Sequence, residues 1–302
     1  MASVIIPSYN HQQFIVEAIA SVVQQDYRPL EILLIDDGST DQTYELGLDH
    51  LRESDIPFLA LKKKNQGSCV SGINLGIQRC NGAYVSLLSS DDIYLPGKLS
   101  VSIDALICQN ADLALAKIVR MSADGAPIHH SETPIGRIEQ SYRRGTLLQE
   151  MICPKSGFGL PYLSMVWRRS TFNIVGLYDP TVFTEDYDMS LRIAIAKLNI
   201  AFVHQSVAVY RLIAKSQDYY IRVAADSVAV LMKHKNHLGE GVRAALAYGK
   251  ANRAIVLMRS KRPFKSVSLL LDALVQHPPV SLYLLHCFLY WLRGQSKTLE
   301  NG

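Results

Sequence analysis

The feature that most constrains this 302-residue chain is an alternation of two periodicities. Short apolar runs at residues 3–9, 30–35, 58–61 and 83–88 are the pattern of buried strands, and helix-like segments separate them. After the first run, Phe14, Ile15, Ala18, Ile19, Val22 and Val23 recur at helical spacing. The second run leads to a turn at residues 36–39, with Thr40 or Asp41 as the expected cap of the next helix. Further helices are expected near residues 68–79 and from Pro96, since proline suits a first helical turn. This rhythm predicts an α/β fold with a mostly parallel, Rossmann-like sheet covered by helices, and ligands at the carboxyl ends of the strands. Polar clusters at residues 7–10, 36–39 and 89–92 each follow a strand directly. No G-x-G-x-x-G follows the first strand, which argues against a dinucleotide site.

Residues 120–160 are rich in Gly, Pro, Ser and His and read as a long connection over the site. A strand is expected at 162–167, and Glu185-Asp186-Tyr187-Asp188 opens a helix with Met189, Ile193 and Ala196 on its apolar side. After Arg211 only helices are expected, roughly at 216–235, 241–260, 264–276 and 280–293, so a boundary falls between a domain at 1–212 and a helical region at 213–302. Charge changes there too: residues 212–302 carry 13 basic and 5 acidic side chains, whereas residues 1–211 carry 18 and 22. The two parts should face different partners. Ala247, Gly249, Ala251, Ala254, Ala273 and Pro278 faintly resemble one tetratricopeptide unit. The apolar stretch 280–291 is shorter than the roughly 20 residues that span a bilayer. Two readings stand for it: a helix on an anionic membrane surface, with Lys261, Arg262, Lys265 and Arg293 beside it, or packing on the catalytic domain or a second subunit. Met1 leads almost directly into Val4-Ile5-Ile6 without a secretory signal pattern, so a cytoplasmic location is expected. Cys69, Cys80, Cys108, Cys153 and Cys287 are scattered, with no C-x-x-C pair, and are expected to be buried small apolar residues and not disulfides or a zinc site.

Three acidic clusters carry chemical meaning. Asp91-Asp92 at a strand end would be relieved of mutual repulsion by a divalent cation shared with a pyrophosphate, although such a pair also caps helices. Asp36-Asp37-Gly38-Ser39 could accept hydrogen bonds from a base or ribose, or be an ordinary Asp-Gly turn. Glu185-Asp186 could take a proton from an acceptor hydroxyl, or be a solvated helix start. Trp167 offers a face for a sugar ring or a core side chain, Lys62-Lys63-Lys64 could steer an anionic donor but reads first as a charged strand end, and His129-His130 could bind a metal but reads first as a solvated pair.

Taken in order, Val4-Ile5-Ile6-Pro7-Ser8-Tyr9-Asn10, Ile35 through Asp41, Asn65-Gln66-Gly67, Asn74-Leu75-Gly76, Ser90-Asp91-Asp92 and Glu185-Asp186-Tyr187-Asp188 resemble family 2 glycosyltransferases of the GT-A fold, over roughly residues 3–212. The resemblance implies inverting transfer of a sugar from a nucleotide diphosphate sugar, usually a UDP sugar, to a saccharide, lipid-linked or protein hydroxyl, in cell-surface polysaccharide or glycoconjugate synthesis. It implies no nucleic-acid partner. Carried over by residue, Pro7, Tyr9 and one or both of Asp36 and Asp37 hold the nucleoside, with Asn65 and Gly67 in the same donor site. Asp91 meets a Mg²⁺ or Mn²⁺ ion and the diphosphate, Asp92 positions the donor sugar or supports the metal, and Asp186 is the general base. Three positions depart from the family pattern: Ser89 where many relatives have aspartate, Ile73 where many have arginine, and Ile213 where many have histidine. These departures imply a weakened cation site and motivate two competing readings, a catalytically weak nucleotide-sugar binder or scaffold and, from the chemistry of strand-end carboxylates, a nucleotidyltransferase. The latter lacks a Gly-rich phosphate loop after the first strand.

Overall fold

The computed structural model describes residues 1–128, 133–152, 159–259, 263–277 and 280. His129-His130, Cys153, Cys287, Lys261, Arg262, Arg293 and the stretch after Val280 lie outside the described residues. In chain order the elements are β1 (Ala2–Ser8), α1 (Ile15–Val23), β2 (Leu30–Asp36), α2 (Thr43–Arg52), β3 (Phe58–Lys62), α3 (Val70–Arg79), β4 (Tyr84–Leu87), β5 (Ile93–Tyr94) and α4 (Lys98–Cys108). They continue as β6 (Leu113–Ser122), β7 (Pro127–Ile128), α5 (Ile135–Arg143), α6 (Leu147–Ile152), β8 (Val166–Arg168), α7 (Phe172–Val175), α8 (Glu185–Ala196) and β9 (Ile200–Leu212). Helices α9 (Gln217–Lys233), α10 (Val242–Arg259) and α11 (Pro263–Gln276) follow. The chain divides into two compact units, Met1–Leu147 with Gly159–Ala214, and Leu148–Phe158 with Lys215–Gly302.

In the first unit the sheet runs β3-β2-β1-β4-β8-β6-β9-β5, with β7 beside β6. Strands β3, β2, β1 and β4 are mutually parallel, and Ser8 is level with Asp36 in the register. Both faces of β1 and β2 are covered, so these strands are apolar at most positions, whereas β3 at the edge is partly exposed. Val4, Ile6, Ile32 and Leu34 share a core with Ile15, Ala18, Ile19 and Val22 of α1. Alternate residues meet α3 on the other face, where a Cβ on Gly76 would stand 2.4 Å from the Ile5 side chain and one on Gly72 would touch Ile35 at 3.4 Å. The small residues of α3 thus set how closely that helix lies on the strands that carry the site.

The chain between 120 and 160 differs from the expected connection. Strand β6 continues to Ser122, and α5 and α6 follow, with Ile135, Ile138 and Ser141 of α5 buried. Polar and glycine-rich composition hid a short amphipathic helix. The strand expected at 162–167 is a tight helical turn at Tyr162–Ser164 followed by β8, and Trp167 is fully buried against Phe172, a core residue. Helix α2 begins at Thr43, where Asp41 accepts the Thr43 N–H at 3.0 Å, and α4 begins after Gly97 and not at Pro96. Two cysteines correct the expectation of burial: Cys80 is buried, but Cys69 and Cys108 are exposed, because they fall at a helix start and a helix end.

One buried cation stands apart. Lys98 is wholly enclosed, its Nζ donates to the Leu163 carbonyl at 2.8 Å, and it lies 4.3 Å from the Tyr94 ring centre. Burial pushes its amine down to about 7. The unfolded chain therefore binds more protons between that value and the ordinary lysine range near 10.5, so stability rises with pH across this window and the penalty is full below it. Lys98→Met should be more stable than the parent at pH 6, by about 1–2 kcal/mol after the lost carbonyl and ring contacts are discounted. Urea unfolding at pH 6 and pH 9 checks this, and the variant should show the weaker pH dependence.

In the second unit α10 packs against α9 and α11, and Ala247, Tyr248, Ala251, Ala273 and Val280 form its core. Lys250 pairs with Asp272 at 2.5 Å across α10 and α11. No helix among the described residues is long and apolar enough to cross a membrane.

Candidate active site

Because β2, β1 and β4 are parallel neighbours, their carboxyl ends bring together three segments separated by up to 80 residues of sequence. At the end of β1, Pro7 is half-buried and Tyr9 exposes 43% of its surface. Asn10 takes a left-handed backbone, and its side-chain oxygen accepts the Thr40 N–H at 2.9 Å, tying this end to the turn after β2.

In that turn the two aspartates part. Asp36 is 0% exposed, and its carboxylate accepts from the Ser8 hydroxyl at 2.9 Å, the Ser39 hydroxyl at 2.5 Å and the Ser39 N–H at 2.8 Å. Its oxygens are thereby committed to shaping the turn. Asp37 takes an ion pair from Lys63 and the Gln66 N–H at 3.3 Å on Oδ1, while its own N–H donates to the Ser8 carbonyl at 2.8 Å. Gly38 is obligatory: its φ is +74°, and a Cβ there would stand 2.8 Å from the Asn65 nitrogen and 2.9 Å from the Lys63 carbonyl. The turn after β2 therefore lies directly on the segment after β3 that carries Asn65 and Gly67.

Beyond β4 the adjacent aspartates also part. The Asp91 carboxylate reaches toward the edge, 3.9 Å from His11 Nδ1, which itself bonds Ser90 at 2.8 Å. Asp92 is 1% exposed and accepts the Arg211 N–H at 2.9 Å. Arg211, from β9, is also buried; its Nε donates to the Asp91 carbonyl at 3.0 Å, its guanidinium pairs with Glu17 at 2.6 Å and lies 4.6 Å from the Phe14 ring centre. Ser89 bonds the Tyr162 hydroxyl at 2.6 Å. Burial first, then the charges of Asp92 and Asp91, push the Tyr162 hydroxyl far above its ordinary range, so it stays protonated.

Asp186 lies in the first turn of α8. Its carboxylate is exposed, accepts the Tyr187 N–H at 2.7 Å, and is ringed by protein at longer range; that desolvation raises its pKa. The approach to α8 is clamped. Asn74 exchanges two hydrogen bonds with the Tyr178 backbone at 2.7 and 2.9 Å, and Arg192 donates to the Val175 and Leu177 carbonyls while pairing with buried Asp188 at 2.9 Å. Cys69, just before α3, donates to Glu185 at 3.4 Å, which links the loop of Asn65 and Gly67 to the start of α8.

For a divalent cation the strand edge offers one carboxylate that keeps some exposure, Asp91 at 11% of its side chain, with His11 and Ser90 beside it. Among the described residues no group of three His, Cys, Asp or Glu side chains could hold a metal by itself. That donor set fits an ion of the Mg²⁺ class, which is commonly bound by one or two carboxylates together with substrate phosphates, and not a closed protein cage. Reading the sequence missed His11, Glu17 and Tyr162, and it singled out Lys63 only as part of the lysine run.

Fold and edge together define an α/β protein whose candidate site is the carboxyl edge of a parallel half-sheet. Residues 3–172, more than half of the chain, match glycosyl transferase family 2, and the chain belongs to that family. An uncharacterised glycosyltransferase of Rickettsia prowazekii is 39% identical over 106 residues, which is 35% of this chain and 32% of that protein. Chondroitin synthase of Escherichia coli is 28% identical over 200 residues, covering 64% of this chain and 26% of the synthase. The matched part thus spans about a third or less of these two relatives. Among solved structures, Staphylococcus aureus TarS in complex with UDP superposes with a TM-score of 0.56 at 17% identity, covering 90% of this chain and 88% of that one. A Pyrobaculum calidifontis mannosyltransferase in complex with GDP-Man and Mn²⁺ gives 0.60 at 15% identity, covering 93% and 87%. These likenesses establish the GT-A architecture that the motif order implied.

Proposed function

We propose that the chain is an inverting glycosyltransferase that moves a sugar from a nucleotide diphosphate sugar, in first place a UDP sugar, to a hydroxyl acceptor in the synthesis of a cell-surface polysaccharide or glycoconjugate. The observation that carries this reading is the gathering of Tyr9, Asp37 and Asp91 just beyond the carboxyl ends of three adjacent parallel strands. Similarity to a chondroitin synthase supports the polysaccharide class, and the UDP and GDP-Man complexes of the structural relatives support the donor class.

In this reading residues 1–212 hold the chemistry. Tyr9 and Asp37 hold the nucleoside, Asn65 and Gly67 border it, Asp36 shapes the turn, and Asp92 with Arg211 fixes the backbone that presents Asp91. When bound, Mg²⁺ or Mn²⁺ would be held by Asp91 and the diphosphate and would stabilise the departing charge. Asp186 takes the proton of the acceptor hydroxyl, and inversion needs no covalent nucleophile. UDP release from a panel of UDP and GDP sugars tests the proposal. Nucleotide binding without release on any donor and acceptor would favour the second reading, a catalytically weak binder, for which the Ser89–Tyr162 bond and the uncharged Ile73 and Ile213 speak.

Residues 264–293 are proposed to dock the enzyme on an anionic membrane surface that holds a lipid-linked acceptor, on the strength of the apolar segments that Lys261, Arg262, Lys265 and Arg293 flank. Each basic residue near such a surface contributes about 1 kcal/mol, and the attraction is screened at high salt. The intact protein should float with anionic vesicles at low salt, and a chain ending near Lys261 should not. An intact protein that stays in the soluble fraction assigns this region to self-association or internal packing.

A further inference from the structure

Lys98 places an amine in the core with a backbone carbonyl and an aromatic ring around it and, among the described residues, no carboxylate paired with it. A methionine would fill the same space without the cost of burying a charge, so folding alone does not call for an amine there. What the amine holds leads to the site. We propose that Lys98 is a positioning residue for the transfer reaction: through the Leu163 carbonyl it fixes the turn from which Tyr162 reaches Ser89 and steadies the segment that presents Asp91. The proposal rests on the donor reading above and adds to it a residue that lies out of a substrate's reach.

The turn at Tyr162–Ser164 is held by three elements. From the first residue of α4, Lys98 Nζ donates to the Leu163 carbonyl at 2.8 Å. From β6, the Ala116 N–H donates to the Ser164 hydroxyl at 3.1 Å, and that hydroxyl donates to the Pro161 carbonyl at 2.8 Å. From β4, the Ser86 hydroxyl donates to the Met165 carbonyl at 3.0 Å and accepts from the Tyr94 hydroxyl at 2.7 Å. Tyr94 touches two of these grips, since its ring also faces the Lys98 amine at 4.3 Å. All of these polar groups are buried, so a carbonyl deprived of its donor there has no water to turn to.

At the other end of the turn the Tyr162 hydroxyl bonds Ser89 at 2.6 Å. Ser89 opens the bend that carries Asp91, its carbonyl accepting the Asp92 N–H at 3.0 Å. Arg211 holds the same bend through the Asp91 carbonyl and the Asp92 carboxylate. Asp91 is thus presented by two arms, Arg211 and Tyr162, and Lys98 anchors the root of the second. Charged or neutral, the amine donates to Leu163, so the grip holds on either side of its lowered pKa of about 7. Cutting it should loosen the turn while the rest of the fold, relieved of a buried charge, becomes more stable.

Calorimetric titration of the whole chain with UDP and GDP in Mg²⁺, together with hydrogen exchange, tests this on the parent, Lys98→Met, Tyr162→Phe, the double variant and Ser102→Ala. Ser102 lies one turn further along α4 with its hydroxyl buried and without a hydrogen bond, so Ser102→Ala should bind nucleotide like the parent. Lys98→Met should resist urea at pH 6 better than the parent, yet bind the favoured nucleotide about 3- to 10-fold more weakly and exchange its amides at residues 162–165 faster. Tyr162→Phe should weaken binding by a similar factor, and the double variant should lose no more than the larger single loss, because both substitutions cut one arm. A Lys98→Met protein with parent affinity, or losses that multiply in the double variant, overturns the proposal and leaves the donor reading standing. An equal loss in Ser102→Ala assigns the effect to repacking of α4 and overturns it as well. If Lys98→Met does not fold, Lys98→Leu replaces it and is read in the same way. Failure of the parent to bind either nucleotide overturns both readings.

Discussion

Replacing Asp186 by asparagine should reduce sugar transfer by about 100- to 10,000-fold while leaving the binding of the nucleoside diphosphate within about twofold of the parent. The substitution keeps shape and removes the proton acceptor. The Tyr187 N–H that Asp186 now accepts can still be satisfied by the amide oxygen, so the first turn of α8 should stay intact. The clamps that precede α8, Asn74 on the Tyr178 backbone and Arg192 on the Val175 and Leu177 carbonyls, do not involve the substituted side chain. Desolvation raises the Asp186 pKa, and a base must be ionised to act, so the turnover of the parent should fall as pH drops through a value above the ordinary carboxylate range near 4. Stopped-flow or radiometric turnover against pH measures both points. Near-parent turnover by Asp186→Asn removes Asp186 from the mechanism.

How much of this was legible in the sequence depends on how each element is buried. Strands β1, β2, β3 and β4 read directly because those at the centre are covered on both faces and so are apolar at consecutive positions. Strands β6 and β9 did not announce themselves: Lys117 and Arg120 interrupt one, and the exposed His204 and Gln205 the other. Helix α5 was hidden by a polar composition, although Ile135 and Ile138 keep helical spacing. The strand-end carboxylates were visible, but their division of labour was not. That Asp36 is held within its own turn and Asp37 against the segment after β3 depends on Ser8 and Lys63, and that Asp92 turns inward depends on Arg211, 119 residues further on. The His11–Asp91 approach likewise exists only because β1 and β4 are neighbours.

That division of labour gives the second large effect, a separation of Asp91 from Asp92 that composition alone would not foresee. Asp91→Ala should weaken UDP binding by about 10- to 100-fold in the presence of Mg²⁺ or Mn²⁺ and barely at all in chelator, with transfer lost to at least the same extent. Its stability should change little. The Asp91 side chain pairs with His11 at 3.9 Å, and the contact that anchors this segment, Arg211 Nε on the Asp91 carbonyl, is made by the backbone and survives the substitution. Asp92→Ala should do the converse. It removes the acceptor of the buried Arg211 N–H and should cost about 1–3 kcal/mol in unfolding free energy, with a loss of activity that follows the loss of folded structure. Calorimetric UDP titration with and without EDTA, paired with urea unfolding of both variants, reads the two effects independently. If EDTA leaves parent UDP binding and turnover unchanged, the cation role of Asp91 fails. The charge of the leaving group would then fall to the side chains beside Asp91, beginning with His11, and His11→Ala would replace Asp91→Ala as the variant that loses diphosphate affinity.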